Sequence, residues 1–190
     1  MGLYVQSLEN IPDVKIHKDY FVYLLDYGWN EPLGETLMKN YENMAKIAAE
    51  NKAVVIRGTH RVHFEDEVLS WHNVNGENAE EILPAILITN RHPNKFKESN
   101  SLNPSAEIEN NLKLILIPLK KFCNSTSDVV TLIDKLFNDI KEGKDLDDFR
   151  VAKEIRKGFG RALADAVILE PNFAGMGFSF RKMIDYFRNK

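Results

Sequence analysis

Five short apolar runs constrain the fold of this chain more than any other feature. They occupy residues 20–25, 53–56, 85–88, 112–119 and 166–169. Each run is short for a buried helix and is rich in β-branched or aromatic residues, so each predicts a strand. Apolar side chains fill successive positions instead of alternating with polar ones. Both faces of the predicted sheet must therefore be covered.

Helical periodicity fills the stretches between these runs. Residues 33–50 repeat apolar side chains three and four positions apart, as in Leu37, Tyr41, Met44 and Ala48, which predicts one amphipathic helix of about five turns. Further helices are predicted over 64–83 with a break near 73–76, and over 129–141, 147–164 and 179–187. Residues 125–128, with the sequence STSD, supply caps for the helix over 129–141.

Apolar strands that alternate with amphipathic helices are typical of α/β proteins. The order of the elements predicts a three-layer fold around a mostly parallel five-stranded sheet, of the flavodoxin-like or Rossmann-like type. An extra N-terminal edge strand is expected within residues 3–16. The length of 190 residues fits one domain over 1–190, with 1–19 as an N-terminal extension or edge strand. Residues 94–111 contain few apolar side chains and predict a long loop, either functional or a solvated insertion.

Composition argues against several classes of protein. The net charge is −3, and the basic pairs Lys120-Lys121 and Arg181-Lys182 are isolated among carboxylates, so nucleic-acid binding is not expected. The single cysteine, Cys123, allows no internal disulfide and suits a reducing compartment as a structural residue. No apolar run approaches the ~20 residues of a membrane helix, and residues 1–10 lack the pattern of a signal peptide. A cytoplasmic protein without a membrane segment is the expectation.

A ligand site is expected where the predicted parallel strands end, because open α/β sheets bind ligands outside the carboxyl ends of their strands. The candidate ligand-binding residues that follow the strands are Asp26, Trp29, Asn30, Glu31, Arg57, Thr59, His60, Asn90, Arg91, Glu170 and Asn172. They predict a pocket for a nucleotide-type small molecule at one edge of the sheet. Polar loops follow strands in any folded protein, so solvated loops are the alternative.

Known catalytic fingerprints are absent. Gly175-x-Gly177 lies between a predicted strand and a predicted helix, but Phe180 breaks the G-x-G-x-x-G pattern of dinucleotide-binding turns. Neither a P-loop nor a G-x-S-x-G nucleophile elbow is found. The sequence therefore assigns no catalytic residue and no cofactor.

Histidines and acids cluster in the middle of the chain. His60, His63, His72 and His92 lie near the acidic run at residues 65–67. His and carboxylate side chains are zinc ligands, and His63 and Glu67 would share one face of a helix. The spacing matches no established zinc pattern, so capping and surface hydrogen bonds are the favoured interpretation. Three acids at a helix start also complement the helix dipole, as an alternative to holding Mg²⁺.

Three hypotheses of function follow. The first is a ligand-sensing or adaptor subunit of a larger intracellular assembly, with a protein partner or a second copy of itself. The second is an enzyme that cleaves a nucleotide or nucleotide cofactor with one glutamate, by analogy of fold with the TIR class alone, for which Glu31, Glu98 or Glu170 are equal candidates. The third is a metal-dependent hydrolase that uses the region from His60 to His72.

Overall fold

The structure, a computed structural model, describes residues 1–12, 18–29, 31–59, 61–72, 74, 82–99, 112–158 and 168–169. In this part of the chain a six-stranded sheet lies between two layers of helices. The strands are β1 (Gly2–Val5), β2 (Tyr20–Leu25), β3 (Ala53–Gly58), β4 (Ala85–Thr89), β5 (Leu114–Pro118) and β6 (Ile168–Leu169). The helices are α1 (Pro32–Lys39), α2 (Tyr41–Glu50), α3 (Arg61–Trp71), α4 (Pro93–Ser99), α5 (Leu119–Phe122), α6 (Thr126–Lys141) and α7 (Arg150–Gly158), with the 3-10 turns η1 (Leu8–Asn10) and η2 (Leu146–Asp148).

The sheet is mixed, with the strand order β1-β3-β2-β4-β5-β6. β1, β3 and β2 pair in parallel, whereas β4 is antiparallel to both β2 and β5, and β6 is antiparallel to β5. As a result, β1, β2, β3 and β5 end at one edge of the sheet, which we call the carboxyl edge. β4 and β6 end at the other, which we call the opposite edge.

The strand directions correct the sequence-based prediction. An α/β fold with strands at the five apolar runs is confirmed, and β1 lies at the edge of the sheet. The order from β3 to β6 matches the flavodoxin-like order 2-1-3-4-5. A mostly parallel sheet is wrong for β4 and β6, however, so a flavodoxin-like or Rossmann-like fold is not confirmed. The physical reason is that a run buried on both faces has the same apolar pattern in either direction.

The two faces of the sheet carry different helices. Tyr20 contacts Phe149, next to α7, with ring centroids 5.8 Å apart. Tyr23 lies three residues further along β2 and points to the other face, where its ring is 5.1 Å from that of His72. Accordingly α1, α2, α6 and α7 form one layer, and η1, α3 and α4 form the other. All six residues of β2 are buried between the two layers.

Two helix predictions need correction. The helix predicted over 33–50 is two helices that meet at Asn40, whose side-chain Nδ2 donates to the Thr36 carbonyl at 2.8 Å and whose backbone N–H bonds close α1. The helix predicted from residue 147 starts at Arg150, because the Asp139 carboxylate accepts the Arg150 N–H at 2.6 Å and caps α7 there. The predicted capping of α6 is confirmed: Ser125 and Asp128 form a reciprocal capping box.

Some predicted elements lie outside the described residues. These are the final helix over 179–187, the end of the helix predicted over 147–164, residues 100–111 of the predicted loop, and the turn residues from 170 to 177. The first residues of the predicted loop over 94–111 are helical instead, within α4. Within the described residues, no helix is long and apolar enough to cross a membrane.

Candidate functional site

Asp26 lies at the carboxyl edge, directly after β2, and is buried. Its Oδ1 accepts the backbone N–H of Gly28 at 3.0 Å, and Gly28 has a φ of 75° that favours glycine. The first turn of α1 approaches the same carboxyl group at Gly34. A Cβ at that position would lie 2.9 Å from Asp26 Oδ1, so the close approach requires glycine. The loop and helix thus enclose the Asp26 carboxyl group from two sides.

Glu65 reaches the same place from α3. Its side chain is 2% exposed, and its Oε1 accepts the Asp26 backbone N–H at 3.4 Å. Oε2 is buried and has no hydrogen-bond partner among the described residues. Burial raises the pKa of Glu65 to about 8, and the negative charges of Asp26 and Asp66 act in the same direction. Glu65 is therefore a carboxyl group that holds a proton at neutral pH.

An aromatic pair and an ion pair complete the site. Tyr27 and Trp29 pack edge to face with ring centroids 5.1 Å apart, and Trp29 is 49% exposed. The Tyr27 hydroxyl donates to Asp66 Oδ1 at 2.6 Å, which joins the loop to α3. Lys120 of α5 pairs with Glu31 at 2.8 Å, and its Nζ lies 6.0 Å from the centre of the Trp29 ring. These interactions hold the loop after β2 on both sides.

We call this group of side chains the β2-loop site. It consists of Asp26, Tyr27, Trp29, Glu31, Glu65, Asp66 and Lys120. The site combines a buried protonated carboxyl group, a second carboxyl group beside it and an exposed aromatic surface. General acid and base groups with a surface for a planar ring are the elements of a site for acid–base chemistry on a ring-bearing small molecule.

The position of α3 is fixed by a third acid. Glu67 accepts the Ser7 hydroxyl at 2.7 Å through Oε1 and the Leu8 backbone N–H at 2.8 Å through Oε2. Because Glu67 is two residues from Glu65 on the same helix, this link to η1 fixes where the Glu65 carboxyl group lies.

The structure brings together three of the predicted site residues, Asp26, Trp29 and Glu31. Thr59 also lies at the carboxyl edge, where its backbone N–H donates to the Val5 carbonyl at 2.9 Å. Arg57 lies one residue before the end of β3, but its guanidinium packs 4.7 Å from the ring centre of Tyr4 instead of joining the β2-loop site.

Asn90 and Arg91 do not converge with these residues. They follow β4, which runs antiparallel to β2, so they lie at the opposite edge of the sheet. There Asn90 Oδ1 accepts the Lys113 N–H at 2.8 Å, and Arg91 donates to the Asn90 carbonyl at 3.0 Å. The candidates outside the described residues are Asn30, His60, Glu170 and Asn172.

Glu65 is a candidate that sequence reasoning missed, because its acidic run was interpreted as a helix start. The run lies further along the helix instead, since α3 begins at Arg61 and has no acid in its first turn. A signal was nevertheless present. Glu65, Leu69 and His72 are spaced by four and three residues, so a helical projection places them on one face. Leu69 and His72 are buried. A carboxyl group on the buried face of a helix is rare unless it is paired or functional.

The histidines do not form a metal site in the described part of the chain. His72 is buried between Tyr23 and Phe96, its Nδ1 is 2.7 Å from the Val68 carbonyl, and burial lowers its pKa to about 4. His63 is exposed, and Glu67 is engaged by η1 as described above. Among the described residues, no group of three or more His, Cys, Asp or Glu side chains is placed to hold a metal ion.

Cys123 is also unsuited to nucleophilic chemistry. It is buried after α5, and burial raises the pKa of its thiol to about 11. The thiolate, which is the reactive form, is therefore scarce at neutral pH.

Comparison of the chain with known protein families, with curated proteins and with solved structures finds no match. The β2-loop site is therefore the basis of the proposed function.

Proposed function

We propose that this protein is a hydrolase that cleaves the glycosidic bond of a small molecule carrying a planar ring, and that the reaction takes place at the β2-loop site. The observation that carries the proposal is Glu65, a 2% exposed carboxyl group whose Oε2 has no hydrogen-bond partner among the described residues and which lies against Asp26. Two carboxyl groups in different environments are the usual means of combining an acid and a base in one site.

Glu65 is the general acid in this proposal. The bond between the sugar carbon and the ring nitrogen breaks, its electrons leave with the ring, and the ring nitrogen takes the proton of Glu65. Water attacks the sugar carbon and gives a proton to the Asp26 carboxylate. Proton exchange with solvent then returns both groups to their starting states, so the net reaction is hydrolysis.

The aromatic pair supports the same class of substrate. Trp29 exposes half of its surface beside Tyr27, and a planar ring that stacks there would be held at the mouth of the site. This hypothesis keeps the cleaving enzyme predicted from the sequence but replaces its candidate glutamates. Glu31 pairs with Lys120, Glu170 lies outside the described residues, and the side chain of Glu98 is not described.

The test is release of a free base from a panel of nucleosides, nucleotides and NAD, followed by chromatography. Glu65→Gln keeps the size of the side chain but removes the proton donor, so we expect base release to fall by about 10²-fold or more. Glu42→Gln makes the same change at an exposed position of α2 and should leave release unchanged. Equal release by the Glu65→Gln variant would contradict the proposal.

The second candidate is the ligand-sensing or adaptor subunit, which acts with a protein partner or a second copy of the chain. The exposed Trp29 favours it, because an aromatic surface binds a ring whether or not chemistry follows. A ligand that raises the melting temperature of the protein and is recovered intact after long incubation would favour sensing over catalysis.

A further inference from the structure

The charges around the β2-loop site restrict its substrate, on the condition that the proposed function is correct. We infer that the substrate is an uncharged nucleoside-type glycoside and that the site disfavours its phosphorylated forms. This departs from the nucleotide expected from the sequence, and it follows from three features of the carboxyl edge.

The first feature is the sign of the charges. With Glu65 protonated, the site contains the negatively charged acids Asp26, Glu31 and Asp66 but a single basic residue, Lys120. Lys120 is 2.8 Å from Glu31, so a neighbouring acid already neutralises it. Another cation near this edge, the Arg57 guanidinium, packs over the rings of Tyr4 and Tyr41. A phosphate would therefore meet carboxylates without a dedicated cation among the described side chains of the site.

The second feature is the use of backbone N–H groups. Phosphate-binding turns keep several N–H groups free to point at the anion. Here carboxyl groups already accept two N–H groups of the loop: the Asp26 N–H donates to Glu65 Oε1, and the Gly28 N–H donates to Asp26 Oδ1. The Glu35 N–H at the start of α1 donates to the Glu31 carbonyl at 2.9 Å. Two N–H groups of the loop after β2 and one at the start of α1 are thus engaged within the protein.

The third feature is complementarity with a sugar. Hydroxyl groups donate hydrogen bonds, and carboxyl oxygens are strong acceptors. The buried Oε2 of Glu65 has no partner among the described residues, whereas its Oε1 accepts the Asp26 backbone N–H. A sugar would place a hydroxyl group against the Asp26 carboxylate, while its base packs on Trp29 with the ring nitrogen facing the protonated Glu65. Proton donation by Glu65 also suits a neutral base, which must gain a proton on leaving.

The experiment compares each nucleoside of a panel (adenosine, guanosine, inosine, cytidine and uridine) with its own 5′-monophosphate. Base release and calorimetric binding are measured with the full chain at low and at high salt. We expect kcat/KM for at least one nucleoside to exceed that for its monophosphate by about tenfold or more at low salt. The ratio should shrink at high salt, because screening weakens repulsion between charges.

A variant that removes one charge tests whether repulsion causes the preference for the nucleoside. Asp66→Asn removes one negative charge and keeps an oxygen that accepts the Tyr27 hydroxyl, so the ratio should narrow by roughly twofold, as expected for an exposed charge. Asp134→Asn removes the same charge from an exposed position of α6 and should leave the ratio unchanged.

The two proposals fail in different ways. A monophosphate cleaved as well as or better than its nucleoside, with release lost in Glu65→Gln, would overturn the substrate inference and keep the hydrolase. Nucleoside cleavage that persists in Glu65→Gln would overturn the role of Glu65. Release from neither class by the wild-type chain would overturn the hydrolase and the inference that rests on it.

Discussion

Two buried acids at opposite edges of the sheet, Asp139 and Glu65, differ in the charges that surround them. Asp139 of α6 has no exposed surface, and its carboxylate contacts Lys144 Nζ at 2.7 Å and Arg150 Nε at 3.2 Å. It also accepts the Arg150 backbone N–H at 2.6 Å. Glu65, at the carboxyl edge, is 2% exposed, and the charges that act on its pKa are two carboxylates.

The comparison shows two ways to offset the cost of burying a carboxyl group. The group either stays charged beside cations or keeps its proton. Removing a carboxylate from water is costly unless opposite charges and hydrogen bonds replace the solvent. Asp139 obtains that replacement from two cations, so it serves the structure by joining α6 to η2 and α7. Glu65 obtains mainly a backbone N–H and therefore keeps its proton. A proton that is held but not needed for packing is available for chemistry.

The largest expected effect is on stability. Asp139→Asn removes the buried carboxylate that Lys144 and Arg150 share, although both cations keep Glu142 as a partner. We therefore expect the free energy of unfolding to fall by about 2 kcal/mol. That corresponds to a decrease in melting temperature of roughly 4–8 °C for a chain of this size. Glu65→Gln removes no cation partner and should keep or raise the stability at pH 8. Urea unfolding of both variants measures the difference, and equal losses would mean that the two acids play the same role.

The raised pKa of Glu65 also affects how stability depends on pH. The pKa of Glu65 is 4.5 in the unfolded chain and about 8 in the folded one. Between these values the folded state binds more protons, so Glu65 makes the free energy of unfolding fall as pH rises from 4.5 to 8. His72 has the opposite slope between about 4 and 6.5, because its folded pKa is lowered.

Subtracting the profile of Glu65→Gln from that of the wild type cancels His72 and every other shared group. We expect this difference to fall steadily with pH and to level off above about 8. Unfolding by urea at a series of pH values provides the measurement. A flat difference would show that the folded and unfolded pKa values of Glu65 are the same.

A smaller effect distinguishes two glycines, one at each edge. Gly34→Ala would place a Cβ 2.9 Å from the Asp26 carboxyl group, so we expect a net loss of about 1 kcal/mol after the gain in helix propensity. Base release should fall as Asp26 is displaced. Gly143 follows α6 with a φ of 66° and open space around it, so Gly143→Asn should cost a few tenths of a kcal/mol and leave base release unchanged.

Either result at these glycines is informative. Full activity in Gly34→Ala would show that the position of the Asp26 carboxyl group is not critical. A loss of activity in Gly143→Asn would indicate that the two edges are coupled.

Local features of the fold could be predicted from the sequence, whereas strand direction could not. The apolar run of β2 and the capping box of α6 depend on residues close in sequence, and both are found where predicted. The direction of β4 depends on how the chain returns to the sheet after α3. Its residues are apolar on both faces, so no side chain marks which end points to which edge.

The site residues also fall into those that the local sequence predicts and those that depend on the fold. Asp26, Trp29 and Glu31 follow β2 in sequence, and the strand-end rule finds them. Asn90 and Arg91 were assigned by the same rule and lie at the opposite edge because β4 is reversed. Glu65 comes from a helix, and its importance depends on burial against a distant loop, which the acidic run of α3 does not reveal.

The contact of Glu67 with Ser7 and Leu8 at the start of η1 links two distant parts of the chain mechanically. Glu65 and Glu67 lie in one turn of a rigid helix, and Glu67 is bound to Ser7 and Leu8. The segment that follows β1 and the Glu65 carboxyl group are therefore coupled, and a fluctuation that releases η1 also loosens the helix that carries Glu65. The amide hydrogen of Leu8, far along the sequence from Glu65, thus reports in hydrogen exchange on events at the Glu65 carboxyl group.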